Sequence, residues 1–113
     1  KPTAMVAFSD SVAVGVLRFL REQGVDVPGE VSVVGFDGTA VSEFTSPSLS
    51  TVATPMYEIG KQAFDLLLGV MDGKYLLPQN LLLPVRLLLR ESVGPVAGSE
   101  QRVPPVTGVR AVL

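Results

Sequence analysis

The apolar positions of this chain fall into runs whose period changes, and the run Val31-Ser32-Val33-Val34-Gly35-Phe36-Asp37-Gly38 organises the others. Short, rich in valine and nearly uninterrupted between Glu30 and Gly38, it has the pattern of a strand buried on both faces inside a parallel sheet. A second apolar run, Ala4 to Phe8, is cut off by Ser9-Asp10-Ser11. From Ser11 to Gln23 the period becomes helical, with Asp10 as the expected N-cap and Gly24 as the stop. On this helix Ala13, Leu17 and Leu20 share one face, enough to cover a sheet, while Val12, Val16 and Phe19 form a second apolar stripe. With the connection Val25 to Gly29, these segments predict a right-handed βαβ unit.

Downstream, Thr39 to Ser48 is mixed and contains Pro47, which predicts a loop or one helical turn holding Val41 and Phe44. Leu49 to Ala53 predicts a third strand. Pro55 then opens an amphipathic helix over Met56 to Asp72, in which Ile59, Ala63, Phe64, Leu67, Leu68 and Met71 recur at helical spacing. Gly69 to Lys74 superficially resembles a phosphate loop, but it has one residue too few between its glycines and Tyr75 in place of Ser or Thr, so it predicts a helix stop. Leu81 to Arg90 is strand-like, with Pro84 restricting it to an edge or a bulge and Arg86 and Arg90 alternating outward. From Ser92 onward there is no periodicity, which predicts a tail or linker. The fold class is α/β, a mainly parallel sheet with flanking helices.

Composition adds a partner to this picture. A single domain of 113 residues buries only about two thirds of its unfolded surface. Yet 47% of the residues are hydrophobic and the mean hydropathy is +0.42, so part of that surface is expected to meet another chain or a missing segment. The net charge is −2 and the basic residues are scattered, which argues against DNA contact by this chain alone. Without cysteine or histidine, the chain has no thiolate nucleophile, and it lacks the usual general base and commonest zinc ligand. No apolar run reaches the roughly 18 residues of a membrane span, and Lys1-Pro2-Thr3 lacks the layout of a signal peptide. A soluble protein without membrane contact is expected.

No nucleophile elbow, zinc-protease motif, dinucleotide loop or spaced metal-ligand cluster is present. Catalysis would have to rest on Asp10 and Asp37, whose carboxylates would need environments that split their pKa values. Asp10 is better explained as a helix cap, so no catalytic residue, metal or cofactor is assigned. Ligand binding asks for less. A hydroxyl such as Ser9 and a carboxylate such as Asp37, held at strand ends, suffice to hydrogen-bond a polyol or a heterocycle. The alternative for Asp37 is an Asx turn that pairs with its own backbone before Gly38.

Four separated blocks carry a family resemblance: Pro2 to Asp10, Val27 to Asp37, Phe44 to Pro55, and Leu83 to Ser92. In this order and spacing they resemble the C-terminal part of the effector-binding region of LacI/GalR-type transcriptional regulators, over about Lys1 to Pro95. The resemblance implies a partial periplasmic-binding-protein-like type I fold over residues 1–95, with 96–113 as a tail. It implies a small-molecule effector, a sugar or related metabolite, held by Asp37, Ser9, Asp10 and Thr54. Asp37 matches the family's effector-contacting Asp; Ser9 stands where an Asn is common, and Thr54 where a Gln is frequent. A homodimer through Val14, Arg18, Phe44 and Thr45 is implied, together with a cytoplasmic location and operator DNA bound only through a headpiece outside this chain. In the family the segment after Ala53 crosses to a second subdomain, so the helix from Met56 would ordinarily pack on a sheet this sequence does not contain. Left alone, it would fold back onto the chain's own strands or exchange with a neighbour. The alternative is a fragment of a periplasmic sugar-binding transport protein of the same fold.

Overall fold

The computed structural model describes residues 2–75 and 80–96. Four strands form one sheet in the order β1 (Ala4–Val6), β2 (Ser32–Asp37), β3 (Ser50–Ala53), β4 (Arg86–Leu88). The first three are parallel, with Val6 opposite Val34 and Asp37 opposite Ala53, and β4 runs antiparallel with Val52 opposite Leu87. Helix α1 (Asp10–Glu22) makes the crossover from β1 to β2, and helix α2 (Met56–Met71) follows β3. Between β2 and β3 lies a short 3-10 turn, Ala40–Glu43.

The core forms where the periodicity predicts. Ala13, Leu17 and Leu20 of α1 are buried with Ala7, Val31, Val33 and Leu49. Of the second stripe, Val16 is drawn partly into that core, whereas Val12 and Phe19 remain exposed. Gly24 ends the helix at φ 69°, the left-handed position that favours glycine.

Four expectations are corrected. Burial of β2 on both faces is not complete: α1 covers one face, but on the other Phe36 is 37% exposed, and Val6 of the neighbouring β1, opposite Val34, is 80% exposed. Asp10 is the first residue of α1, and the N-cap is Ser9, whose hydroxyl accepts the Val12 amide at 3.3 Å. Arg90 turns inward, because β4 ends at Leu88 and strand alternation lapses beyond it. Its guanidinium donates to the Leu49 carbonyl and the Ser42 hydroxyl, both at 2.8 Å, and pairs with Glu43 at 3.2 Å. Ser92 does not begin a tail but is fully buried, and Gly94 donates its amide to the Ser32 hydroxyl at 3.2 Å. The remainder of the expected tail, 97–113, lies outside the described residues.

Helix α2 ends as its sequence indicates, with Gly73 at φ 70°, but it does not fold back on the sheet. Met56, Phe64, Leu67, Leu68 and Met71 are all exposed, and Gly69 is its one buried residue, under the Tyr75 ring. Among the described residues no helix is long and apolar enough to cross a membrane.

Candidate functional site

Parallel strands aim their carboxyl ends the same way, so the residues that follow β1, β2 and β3 meet at one end of the sheet. These are Ser9, Asp37 and Thr54. Asp37 closes β2 with φ 109°, a conformation an L residue rarely adopts, and Gly38 follows at φ 74°. A side chain at position 38 would run into Ala53, so the chain turns here on a residue without Cβ. Thr54 pins the turn from the neighbouring strand: its amide and hydroxyl donate to the Asp37 carbonyl at 3.2 and 3.3 Å. No donor among the described residues reaches the Asp37 carboxylate, so the Asx-turn pairing is not formed.

Asp10 sits beneath this ledge, fully buried. One carboxylate oxygen accepts the Thr39 amide at 2.6 Å and the Thr39 hydroxyl at 2.8 Å; the other accepts the Thr51 hydroxyl at 2.6 Å. Thr51 in turn accepts the Gly38 amide at 3.2 Å. Gly35 makes room for the carboxylate, since a Cβ there would strike Asp10 and Leu49. Both oxygens of Asp10 are therefore committed to the chain itself, while Asp37 keeps its own free. The two carboxylates share no hydrogen-bond partner among the described residues.

The other residues singled out from the sequence lie elsewhere. On α1, Val14 is half-buried, and Arg18 is exposed and paired with Glu22 at 2.8 Å. Phe44, just past the 3-10 turn, is 83% exposed, and the Thr45 hydroxyl donates to the Ser42 carbonyl at 3.2 Å. Helix α1 packs against that turn.

Thr39, Thr51 and Ser42 escape a reading for function because each looks like an ordinary loop or strand residue. A signal did exist: Thr51 falls on a buried strand position, where a hydroxyl needs a partner. No group of three potential metal ligands occurs among the described residues. Grooves of about 260 and 370 Å³, lined by Gln62 and Asp65 of α2 and by Leu17 and Arg21 of α1 respectively, lie away from the sheet end. The candidate site is thus an open ledge with one unpaired carboxylate.

Comparison with known proteins bears on what such a ledge does. A family model described as a periplasmic binding protein-like domain matches residues 1–93. The transcriptional repressor CytR of Escherichia coli (strain K12) is 40% identical over 91 residues, 80% of this chain and 27% of that protein. The repressor MelR of Bacillus subtilis (strain 168) is 40% identical over 93 residues, 82% of this chain and 27% of its own length. Among solved structures, a CelR regulator in complex with cellobiose aligns with a TM-score of 0.76 at 36% identity, covering 80% of this chain and 28% of that one. The Lac repressor dimer bound to operator and the anti-inducer ONPF aligns with a TM-score of 0.76 at 35% identity, covering 81% and 32%. The chain spans about a quarter of the length of the curated relatives it matches.

Proposed function

This chain belongs to the periplasmic-binding-protein-like domain family, in the form carried by LacI-type transcriptional repressors, and on that premise we propose that it is part of the effector-sensing and dimer-forming region of such a regulator. The observation that carries the reading is the Asp37 carboxylate, unpaired at the carboxyl end of β2 between Ser9 and Thr54. A free acceptor on a rigid ledge suits the hydroxyls of a sugar or related metabolite. Thr54 and Ser9 offer hydroxyls beside it, and Asp10 acts from beneath.

Residues 1–95 form the effector-domain segment and 96–113 its tail. The anchoring of Ser92 and Gly94 to β2 and β3 supports a boundary this late. Operator DNA is bound through a headpiece outside this chain, which fits its acidic balance of 9 basic against 11 acidic residues. The regulator works in the cytoplasm as a homodimer through Val14, Arg18, Phe44 and Thr45, and it is not an enzyme. The transport alternative is not favoured, because CytR and MelR are transcriptional repressors.

Calorimetry tests the reading on the full-length protein, with a panel of pentoses, disaccharides and purine nucleosides that includes ribose and cellobiose. Binding of one panel member that weakens roughly ten- to hundred-fold on Asp37→Ala is the expected result. A protein that binds none of them, or binds equally well without Asp37, overturns it.

A further inference from the structure

Asp10 is fully buried, takes part in none of the ion pairs among the described residues, and is not the helix cap its position suggests. A carboxylate in such a place is costly unless every lone pair it turns inward finds a donor. Here the donors come from far along the chain. Thr39 lies 29 residues away and Thr51 lies 41 away, and they stand on either side of the Asp37-Gly38 turn. Thr39 follows that turn directly, while Thr51 lies on β3 opposite Gly35 and accepts the Gly38 amide. Strand β2 also supplies Gly35, whose missing side chain leaves the space the carboxylate fills.

We infer that Asp10 is a positioning residue of the effector site, its buried carboxylate tying Thr39 to Thr51 and so fixing the turn that presents Asp37. The inference rests on the effector reading above. Three short bonds to one carboxylate hold the turn from the first residue of α1, so the uncommon backbone of Asp37 is set from outside its own strand. Asp37 can then offer its carboxylate without having to order itself as a ligand arrives, which is preorganisation. Without Asp10, the Thr39 amide and the Thr51 hydroxyl lose their acceptor, and the turn keeps the bonds from Thr54 and the Gly38 amide bond to a Thr51 hydroxyl that is no longer held from below.

Hydrogen exchange by mass spectrometry on the full-length protein separates this role from general support of the core. In Asp10→Ala, peptides covering Gly38 to Glu43 should exchange at least tenfold faster, while those covering Val31 to Gly35 change less than threefold. Asp10→Asn, whose amide oxygen still accepts from Thr39, should restore most of the protection. If Asp10→Ala does not fold, Thr51→Val removes the linking hydroxyl in a residue that strands favour, and it should give the same local pattern. Equal acceleration in both regions, or none at the turn, overturns the inference. Calorimetry with the sugar that the wild type binds adds the second arm: affinity at least tenfold weaker in Asp10→Ala and within threefold of wild type in Asp10→Asn. Unchanged affinity in Asp10→Ala also overturns it. A wild type that binds no panel member removes the effector reading instead, and the exchange pattern alone then decides whether Asp10 sets the turn.

Discussion

Ser92 and Val33 bond to each other twice: the Ser92 hydroxyl donates to the Val33 carbonyl at 2.6 Å, and the Val33 amide donates to the Ser92 carbonyl at 2.8 Å. The same hydroxyl accepts the Ser50 amide at 2.8 Å, so one small side chain fastens the end of the described chain to both β2 and β3. Ser92→Ala removes this partner and leaves the buried Ser50 amide unsatisfied. A loss of about 1–3 kcal/mol is expected. Urea unfolding checks it: a midpoint unchanged from wild type would show that the bonds are made in the unfolded ensemble as well, or are replaced by water.

For the effector, Asp37→Ala should weaken binding by about 1.5–3 kcal/mol, roughly ten- to hundred-fold, the worth of a charge-assisted hydrogen bond taken out of water. Asp37→Gly is the companion variant. It accepts φ 109° without strain, so it should lose the same affinity while matching or exceeding wild-type stability. Calorimetry and thermal unfolding read the two effects separately, and a Gly variant that binds as wild type would remove the carboxylate from the site.

Much of this arrangement is legible in the sequence, and the rest fails for physical reasons. The buried face of α1 follows from period alone, because Ala13, Leu17 and Leu20 need no knowledge of their partners. That Asp37 closes β2 follows from the apolar run before it. Ser9 and Asp10 are both capping types, and which of them caps is decided by Thr39 and Thr51, whose approach no local pattern announces. Arg90 reads as outward only while the strand continues, and the Leu49 carbonyl that captures it comes from another element. Helix α2 is clear as a helix, but its period cannot say what covers its apolar residues.

Acid acts on the contact between the β4 end and the loop before β3. The Ser48 amide donates to the Glu91 carboxylate at 2.9 Å and the Ser48 hydroxyl at 2.9 Å, and these bonds hold the carboxyl below its ordinary value, the backbone bond most. Because the folded pKa is depressed, the contribution is complete above the unfolded pKa and is lost as pH falls through the folded one. Glu91→Gln should therefore lose less stability than wild type between pH 7 and pH 3. Lys61 behaves oppositely. Its hydrogen bond to Asp65, and then the charge of Asp65, raise its pKa, so its contribution is present below the ordinary lysine value and lost as pH rises through the folded one. Both groups are exposed, and solvent screening keeps the effects small. Unfolding midpoints across pH for Glu91→Gln and Asp65→Asn check the two directions, and a Gln variant that tracks wild type through the acid limb would assign that limb elsewhere.

Self-association is the last expectation, and it follows from what α1 and the 3-10 turn leave in water. Val12, Phe19, Val41 and Phe44 are all exposed, Phe44 at 83%. Burying a large apolar side chain gains about 1.5–3 kcal/mol. Several of them on neighbouring elements therefore offset the loss of translational and rotational freedom when two copies pair. The Arg18–Glu22 ion pair at 2.8 Å lies on the exposed surface of the same helix and suits a polar rim, where it contributes little to affinity. Phe44→Glu and Val14→Asp each place a charge where the partner's apolar side chains would meet it, so either should dissociate the dimer while leaving the core of Ala13, Leu17 and Leu20 folded. Sedimentation equilibrium at micromolar concentration reads the state directly. A monomeric wild type refutes self-association, and a dimer that survives both substitutions moves the interface off α1 to the exposed apolar residues of α2.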